Sequence, residues 1–527
     1  MRLGPKKLKG GEGRATISER YNASVLLDSN LDAGRSDKVA IYCGDEKITY
    51  GQLFDRVCRM GRALLELGVR REERVLLVLG DTPAFPVAFL GAMRIGAVPV
   101  PVNPLSRAED YRYFVEDTNA RFIFADDAFV EKLTEALHGY SEQVSLISTG
   151  SNKSARYIMA DLLAGQSGEL SPADTHRDDM AFWLYTGGST GNPKGVVHRH
   201  HDIPYTCETY ARHVLGITED DVAFSRALYH AYGLGNSISF PFWVGASSVL
   251  FPDRPTPLGI LETVQRFRPT LFFSVPTLYN AILNDPKSTQ YDLSSIRLCL
   301  SAAEALPPDT WRRWYETFDM SILDGIGSTE MLHIFCSNTF DEIKPGSSGK
   351  PVPGYELRLL DEEDRLVGPG ETGNLHVKGD SSAPYYWNQP AKSEQTMRGD
   401  WVFTGDRYRV DEEGFYWYEG RADDMIKVGG EWVSPIEIEN TLLEHPTVHE
   451  AAVVGVPIDG IMRVKAVVVL AKHLSPSSDP ARELQDWCKD RLQRYQYPHN
   501  IDFVEELPKT TLGKIQRFKL REATEVE

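Results

Sequence analysis

The chain has 527 residues, of which 42% are hydrophobic and 25% are charged, and its formal net charge is -18 at pH 7. This length exceeds what one hydrophobic core usually supports, so at least two folded domains are expected, and the composition argues against general disorder. The acidic balance argues against nucleic acid or an anionic membrane as the main partner, because both are held by clustered Lys and Arg.

Three further features bear on the compartment. Residues 1–16 carry five basic side chains but no apolar stretch, so we do not interpret them as a secretory signal. No apolar run approaches the roughly 18 residues that a spanning helix needs. The six cysteines include no C-x-x-C pair, which argues against a zinc framework or a disulfide scaffold. We therefore expect a cytoplasmic protein with no membrane insertion and a flexible tail at residues 1–20.

The first part of the chain alternates apolar runs with amphipathic stretches. The run Arg74–Leu79 is followed by a helical stretch at Ala84–Ile95 and a second run at Ala97–Pro101. This alternation predicts a strand–helix–strand unit. Ser106 and Glu109 have the spacing of a capping box, which predicts that the next helix starts there.

Later apolar runs each precede a turn-rich segment, as strands do when ligand-binding loops leave their carboxyl ends. They lie at Arg121–Phe124, Thr270–Ser274, Ile296–Leu300 and Ser321–Leu323. The fold class predicted for this large region is α/β.

The pattern changes near residue 345 to closely spaced strands with Gly and Pro turns, including Tyr355–Leu360 and Asn374–Lys378. This predicts a β-rich subdomain that closes the large domain. After the polar segment Gly420–Lys427, the sequence Ser434-Pro-Ile-Glu predicts a new helix, with Ser as its N-cap and Pro in its first turn. We place the boundary near Asp423, between a large domain at 21–422 and a small α+β domain at 423–527.

The segment Tyr185–Gly195 reads Tyr-Thr-Gly-Gly-Ser-Thr-Gly-Asn-Pro-Lys-Gly. Glycines let backbone N–H groups point inward, hydroxyls donate to phosphate oxygens and lysine adds positive charge, so the segment favours a phosphate-binding loop over a plain linker. It is not a Walker loop, because that motif needs G-K-[ST] and Lys194 is followed by Gly195.

This loop resembles the phosphate-binding signature of the adenylate-forming superfamily, which includes acyl- and aryl-CoA ligases, luciferases and peptide-synthetase adenylation domains. Further segments follow in that family's order over about residues 40–520, at Ile326–Glu330, Thr404–Asp406, Gly420–Lys427 and Pro508–Lys514. The resemblance implies an AMP-binding domain at 21–422 and a mobile domain at 423–527.

The resemblance also implies an acid-thiol ligase that uses ATP, Mg²⁺ and coenzyme A. A carboxylate would attack the α-phosphorus of ATP to give an acyl-adenylate and diphosphate, and the CoA thiol would then displace AMP. The small domain would rotate between the two steps about a hinge at Asp423. Lys427, Gly429 and Gly430 would line the path of the pantetheine arm.

By the same resemblance the catalytic candidates are Lys514, Lys194 and Glu330, with Lys514 stabilising the charge that builds during adenylation. Glu330 and Thr190 would hold Mg²⁺, a hard cation that prefers oxygen ligands. The implied ATP/AMP-binding positions are Thr186, Gly187, Gly188, Ser189, Thr190, Gly191, Lys194, Ala303, Glu304, Asp324, Gly325, Ile326, Gly327, Ser328, Thr329, Asp406, Arg421 and Lys514.

Four of these positions have more specific implied roles. Thr329 would contact phosphate, and Asp324 would meet the adenine amino group. Asp406 would accept hydrogen bonds from the ribose hydroxyls, with Arg421 as a second contact to ribose or phosphate.

Segments Leu228–Asn236, Ser301–Leu306 and Ser328–Phe335 resemble the benzoate-CoA ligase group within the superfamily, which implies a benzoate-type aromatic acid as substrate. A short wall and a slot for a flat ring are expected there. The implied acid pocket comprises His230, Ala231, Tyr232, Gly233, Ala303, Gly327, His333 and Ile334. His230 stands where that group commonly has Phe, and Ala303 where Gly is common, so the ring substituents stay open.

Several alternatives stay open at this point. The chain could be a CoA ligase for cinnamate or for a short or medium fatty acid, a luciferase-like oxygenase, or a catalytically silent nucleotide-binding homologue. Its oligomeric state is also open, and a homodimer is one option. We interpret His198-Arg-His-His201 as structure at a helix start, because the run lacks Cys or carboxylate partners at ligand spacing.

Overall fold

The structure is a computed structural model of the chain, and it describes residues 17–140, 142–187, 192–422, 424–428, 431–458, 461–471, 479–509 and 515–525. The fold is mixed α/β, as predicted. Its α-helices span Leu26–Asp32, Tyr50–Glu66, Ala84–Arg94, Ala108–Thr118, Asp127–Ala136, Met159–Leu163, Asp202–Thr206, Ala231–Leu234, Phe240–Val244, Pro257–Phe267, Pro276–Leu283, Pro308–Phe318, Pro390–Thr396, Pro435–Leu443, Pro480–Lys489 and Arg517–Glu525.

A five-stranded parallel sheet forms from the first strand–helix–strand unit and its continuation. The strand order across the sheet is Val98–Pro101, Arg74–Val78, Phe122–Ala125, Ser145–Ser148 and Tyr157–Ile158. Two prolines are tolerated in Val98–Pro101 because this strand lies at the edge of the sheet, where an N–H is not needed on the outer side. The strands and the helix predicted for this unit are confirmed within a few residues.

The predicted capping box at Ser106 and Glu109 is wrong by one residue. The helix begins at Ala108, and the carboxylate of Asp110 accepts a hydrogen bond of 2.9 Å from the backbone N–H of Arg107. Glu109 instead forms an ion pair of 2.7 Å with the Arg107 guanidinium. Asp110 takes the capping position because it is the third residue of the helix whose N-cap is Arg107.

A nine-stranded mixed sheet forms the centre of the large domain. Its strand order is Lys350–Pro351, Ile334–Ser337, Ile322–Gly327, Leu298–Ser301, Leu271–Ser274, Val222–Phe224, Ser247–Leu250, Val39–Cys43 and Glu46–Thr49. The inner strands pair in parallel, whereas the pairs at both edges are antiparallel. The carboxyl ends of the parallel strands therefore meet at one edge, where ligand loops are expected.

Two antiparallel units complete the large domain. The strands Met180–Thr186 and Lys194–Arg199 form a hairpin. A five-stranded sheet then contains Glu356–Leu360, Thr372–Lys378, Met397–Arg398, Trp401–Val410 and Tyr416–Arg421. The β-rich subdomain predicted after residue 345 is thus confirmed.

The C-terminal region builds a separate core. The strands Val448–Ile458, Ile461–Leu470 and Asn500–Phe503 form one sheet, and Ile426–Val428 pairs with Glu431–Val433. The helix Pro435–Leu443 begins as predicted, because the Ser434 hydroxyl accepts a hydrogen bond of 3.3 Å from the Glu437 N–H. Buried aliphatic side chains of the helix and the sheet pack together. The predicted hinge residue Asp423 lies outside the described residues.

Two general observations concern the whole chain. Within the described residues, no helix is both long enough and apolar enough to cross a membrane. All six cysteines are described, and all are free thiols.

Candidate active site

The hairpin of Met180–Thr186 and Lys194–Arg199 holds the two ends of the predicted phosphate loop. Thr186 pairs directly with Lys194, so the loop must close between these two residues. Thr186 is half-buried and Gly187 is exposed. The tip of the loop lies outside the described residues and contains Gly188, Ser189, Thr190 and Gly191.

Lys194 and Glu330 both contact one tyrosine, Tyr386. The Lys194 Nζ lies 4.2 Å from the centroid of the Tyr386 ring, and the Tyr386 hydroxyl donates a hydrogen bond of 2.6 Å to Glu330 Oε1. Burial lowers the pKa of Lys194, and the negative charge of Glu330 opposes that shift. A cation and a carboxylate are thus held close together without a direct ion pair.

Glu330 lies in a short 3₁₀ turn, Thr329–Met331, that follows the strand Ile322–Gly327. The Ser328 hydroxyl caps the turn by accepting from the Met331 N–H at 3.2 Å. The backbone N–H of Ala383 donates to the Glu330 carbonyl at 2.7 Å. The direction of the Glu330 side chain is therefore fixed by its backbone as well as by Tyr386.

The strand Ile322–Gly327 carries four of the predicted nucleotide contacts. Asp324 is buried, and burial raises its pKa well above the ordinary range. A Cβ at Gly325 would lie 2.8 Å from the Cys336 carbonyl oxygen, and a Cβ at Gly327 would lie 2.5 Å from that of His333. Both glycines are therefore required by close packing against the neighbouring strand, whether or not they contact a nucleotide. Ile326 is half-buried beside them.

Asp406 and Arg421 pair across two adjacent strands of the β-rich sheet. The Arg421 Nη1 lies 3.0 Å from Asp406 Oδ1 and donates a second bond of 3.0 Å to the Thr404 carbonyl. Gly405 has φ +76°, and a Cβ there would lie 2.7 Å from Arg421 Nη2. The positive charge of Arg421 also lowers the pKa of Lys194, so the two cations lie close enough to interact electrostatically.

His333 is the centre of an aromatic cluster next to the Glu330 turn. Its ring stacks on Tyr232 at a centroid distance of 5.6 Å, and the rings of Phe240 and Tyr210 lie at 4.5 Å and 5.4 Å. Burial lowers the pKa of His333 to about 3, so the imidazole is neutral at physiological pH. Ile334 is buried next to it.

The remaining predicted pocket residues lie at the start of the helix Ala231–Leu234 and in the loop that contains Ala303. A Cβ at Gly233 would lie 2.1 Å from the Arg226 carbonyl oxygen, so only glycine fits where these two backbone segments pass close together. His230 immediately precedes the helix that starts at buried Ala231, and burial lowers its pKa to about 4. Ala303 is exposed and has φ +75°, a conformation that favours glycine, while Glu304 is half-buried.

The predicted C-terminal contacts are only partly described. Lys427 is exposed, and its ammonium lies 5.1 Å from the centroid of the Trp432 ring. Gly429, Gly430 and Lys514 lie outside the described residues, so their roles stay predictions.

Sequence reasoning missed Tyr386, although it connects Lys194 to Glu330. The only local signal is the aromatic run Tyr385-Tyr386-Trp387, which is equally typical of a buried core. Tyr386 is separated from Glu330 by 56 residues, and no spacing rule joins the two.

Comparisons with known proteins agree on the family and the fold. The profile of the family described as AMP-binding enzyme matches residues 29–387, and that of its C-terminal domain matches residues 437–514. The chain is 45% identical to a benzoate–CoA ligase of Thauera aromatica, over 96% of this chain and 97% of that protein. It is 43% identical to a 4-hydroxybenzoate–CoA/benzoate–CoA ligase of Rhodopseudomonas palustris, over 96% and 94%.

Two solved structures are similar over nearly their whole length. The anthranilate CoA ligase AuaEII in complex with anthranoyl-AMP superimposes with a TM-score of 0.92 at 41% identity, covering 96% of this chain and 98% of that one. A benzoate CoA ligase from Burkholderia xenovorans LB400 superimposes with a TM-score of 0.89 at 44% identity, covering 95% and 100%.

Proposed function

The chain belongs to the AMP-binding enzyme family, and we propose that it is an AMP-forming aryl-CoA ligase that acts on benzoate or a closely related benzoate. It would convert ATP, the aromatic acid and CoA into the aryl-CoA thioester, AMP and diphosphate. An aryl-adenylate would be the intermediate. The similarity to benzoate-activating ligases over nearly the whole chain supports this proposal.

The observation that carries the proposal is that Glu330, in the Thr329–Met331 turn, and His333, two residues after that turn, belong to two different clusters of side chains. Glu330 belongs to the polar cluster with Tyr386 and Lys194, whereas His333 belongs to the aromatic cluster with Tyr232. Adenylation needs the carboxylate of the aromatic acid to lie next to the α-phosphorus of ATP while the ring of the acid is held away from water. Adjacent polar and aromatic clusters meet both needs by fixing the two reactants in one orientation.

In the first half-reaction a carboxylate oxygen of the acid attacks the α-phosphorus, and the bond to the β-phosphate oxygen breaks. Negative charge builds on the α-phosphate oxygens and on the departing diphosphate. We assign Lys194 and Lys514 to stabilise that charge and Asp406 to hold the ribose. Arg421 positions Asp406 through their ion pair.

Glu330 fits the role of a Mg²⁺ ligand. Its Oε1 accepts from Tyr386, and within the described part of the chain no hydrogen bond reaches Oε2, so one carboxylate oxygen is available to a hard cation. Thr190 is the second proposed ligand. When bound, Mg²⁺ would offset the negative charge of the phosphates.

In the second half-reaction the CoA thiol attacks the carbonyl carbon of the adenylate, and AMP leaves. Lys514 must withdraw to give the thiol access, and we propose that the C-terminal domain, residues 423–527, rotates about Asp423 to achieve this. The pantetheine arm would pass Lys427, Gly429 and Gly430. The separate core of this region supports a unit that can move as one body.

The substrate class follows from the chemistry of the aromatic cluster. A neutral His333 ring stacked on Tyr232 offers flat, uncharged surfaces that suit an aromatic ring. The rings of Phe240 and Tyr210 also pack against His333, and so crowded an aromatic cluster disfavours a long acyl chain. We assign the cytoplasm as its compartment, in keeping with six free thiols.

Diphosphate release measured with a panel of acids tests this assignment. Benzoate and singly substituted hydroxy- and aminobenzoates should support ATP-dependent release, with cinnamate slower and short or medium fatty acids slowest. Preference for a fatty acid over every benzoate would contradict the assigned substrate class.

A further inference from the structure

Two residues on one face of the strand Lys194–Arg199 are connected to the Thr329–Met331 turn, one directly and one through Tyr386. Residues two apart in a strand point to the same side, so Lys194 and His198 share one face. Lys194 reaches Glu330 through Tyr386, as described above. The His198 Nε2 lies 2.8 Å from the carbonyl oxygen of Thr329, the residue before Glu330.

His198 is fully buried, and each of its ring nitrogens faces an acceptor. Its Nδ1 lies 2.9 Å from Asp202 Oδ2, and its ring stacks on Phe182, its cross-strand neighbour, at 5.2 Å. The Thr329 carbonyl oxygen can only accept, so the His198 Nε2–H donates this hydrogen bond, and Asp202 holds the opposite nitrogen of the ring. Asp202 is equally buried, and its side chain also accepts a hydrogen bond of 3.0 Å from the Arg199 N–H and lies 3.2 Å from His201 Nε2, so it is held in place from several directions.

The turn that His198 contacts has strained backbone. Leu332, which ends the turn, has φ +66°, a conformation that persists only where the surroundings hold it. All three carbonyls of the turn accept hydrogen bonds from outside it. The donors are His198 for Thr329, the Ala383 N–H for Glu330 and the Ser381 hydroxyl for Met331.

We propose that His198 and Asp202 are a positioning pair that sets the Thr329–Glu330 turn relative to Lys194. Through the Thr329 carbonyl the pair would fix where Glu330 and the Thr329 side chain meet Mg²⁺ and phosphate. This inference rests on the proposed function. His198 touches no reactant itself, and its effect is on the adenylation step, in which both lysine and carboxylate must be in place.

Two amide variants separate the two hydrogen bonds of His198. In His198→Gln the side-chain amide reaches the position of Nε2 and can still donate to Thr329. In His198→Asn the amide reaches only the position of Nδ1 and contacts Asp202. The Asn variant should release diphosphate about 10- to 100-fold more slowly and need more Mg²⁺, as when an outer partner of a metal ligand is lost. The Gln variant should keep most of the parent rate.

His200→Asn is the matched control. His200 is a buried neighbour on the same segment, and its Nδ1 accepts a hydrogen bond of 3.1 Å from the Ala23 N–H, a partner that does not belong to the turn. It should keep the parent rate and Mg²⁺ requirement, even if its melting temperature falls. Thermal unfolding of every variant shows how much of each effect is lost stability.

Asp202→Asn is a second test, and it remains informative even if His198→Asn does not fold. Asn replaces one oxygen of the carboxylate by an NH₂ group, so it weakens the contacts by which Asp202 holds the His198 ring and the Arg199 N–H, and it should also slow diphosphate release and raise the Mg²⁺ requirement. Parent rates in His198→Asn or in Asp202→Asn, or equal losses in His198→Asn and His198→Gln, would overturn the inference. If the parent enzyme releases no diphosphate with any benzoate, the proposed function is wrong. This result differs from parent rates in the variants, which would show only that His198 and Asp202 do not position the turn.

Discussion

The Tyr386 hydroxyl donates a 2.6 Å hydrogen bond to the Glu330 carboxylate, and the same ring lies 4.2 Å beneath the Lys194 ammonium. One aromatic side chain therefore orients the proposed metal ligand and contacts the proposed phosphate-binding cation. Because the ring separates the two charges, both remain available to a nucleotide and its cation.

Tyr386→Phe tests the orienting role of the hydroxyl. The variant keeps the ring beneath Lys194 and removes only the hydrogen bond to Glu330. Adenylation should slow by about 10-fold or more, with a raised Mg²⁺ requirement, because outer partners of metal ligands have effects of this size. Tyr385→Phe, at a partly exposed neighbouring ring, is the control. An unchanged Mg²⁺ titration in Tyr386→Phe would show that the hydroxyl does not orient Glu330.

Lys514→Ala should slow adenylation by about 10²-fold or more, the scale expected for the loss of one preorganised charge-stabilising donor. Thioester formation from supplied benzoyl-adenylate should change far less, because the lysine would have left the site by then. Lys519→Ala, at an exposed lysine on the C-terminal helix, should affect neither step. Equal losses in both half-reactions would contradict this division of labour.

Asp423→Pro tests the proposed hinge. Proline fixes φ near -65°, so a residue that must change its backbone conformation is locked in one state. We expect adenylation to survive and thioester formation to fall, with little change in thermal unfolding. Single-turnover measurement of each half-reaction decides the matter, since acyl transfer to CoA at the parent rate would exclude rotation about Asp423.

Ala303→Gly should stabilise the protein. Ala303 has φ +75°, where an L side chain costs about 1 kcal/mol and glycine adopts the conformation freely. Ala302→Gly is the matched control: this buried neighbour has no positive φ, so the exchange should destabilise the protein. Denaturant unfolding measures both. A loss of stability in Ala303→Gly would show that the methyl group has packing contacts that outweigh the strain.

His333 should make the protein less stable in acid. Its pKa is about 3 in the folded state and near 6.5 when unfolded, so below pH 6.5 the unfolded state binds the additional proton. Stability is therefore lost as the pH falls from 6.5 toward 3, by about 2 kcal/mol at pH 5. His333→Gln should show about 2 kcal/mol less acid destabilisation between pH 7.5 and 5. An identical pH dependence in parent and variant would mean that His333 is not buried in its neutral form.

Local features of the sequence predicted local structure well. Ser434 and Pro435 mark a helix start because an N-cap hydroxyl and a first-turn proline act within a few residues of chain. The helix at Ala84–Arg94 follows from its flanking strands in the same way. At Arg107 the same logic failed by one residue, because two adjacent acidic side chains could each have capped the helix.

Long-range contacts within the site could not be predicted in this way. His198 reaches Thr329 across 131 residues, and Tyr386 reaches Glu330 across 56. Neither pair has a spacing signature, since the contact depends on how a hairpin, a sheet edge and a loop pack together. The prediction that His198 belongs to a helix start is wrong, because His198 lies on the strand Lys194–Arg199; Asp202 does begin the following helix, and its side chain contacts the His198 ring.

Identification of the products formed from ATP, Mg²⁺, benzoate and CoA shows at which phosphorus of ATP the acid is activated. Nucleotide separation and mass spectrometry of the thioester should find benzoyl-CoA, AMP and diphosphate in equal amounts, because the site is proposed to direct attack at the α-phosphorus. Formation of ADP and phosphate, or of a benzoyl product without AMP, would rule out an AMP-forming ligase.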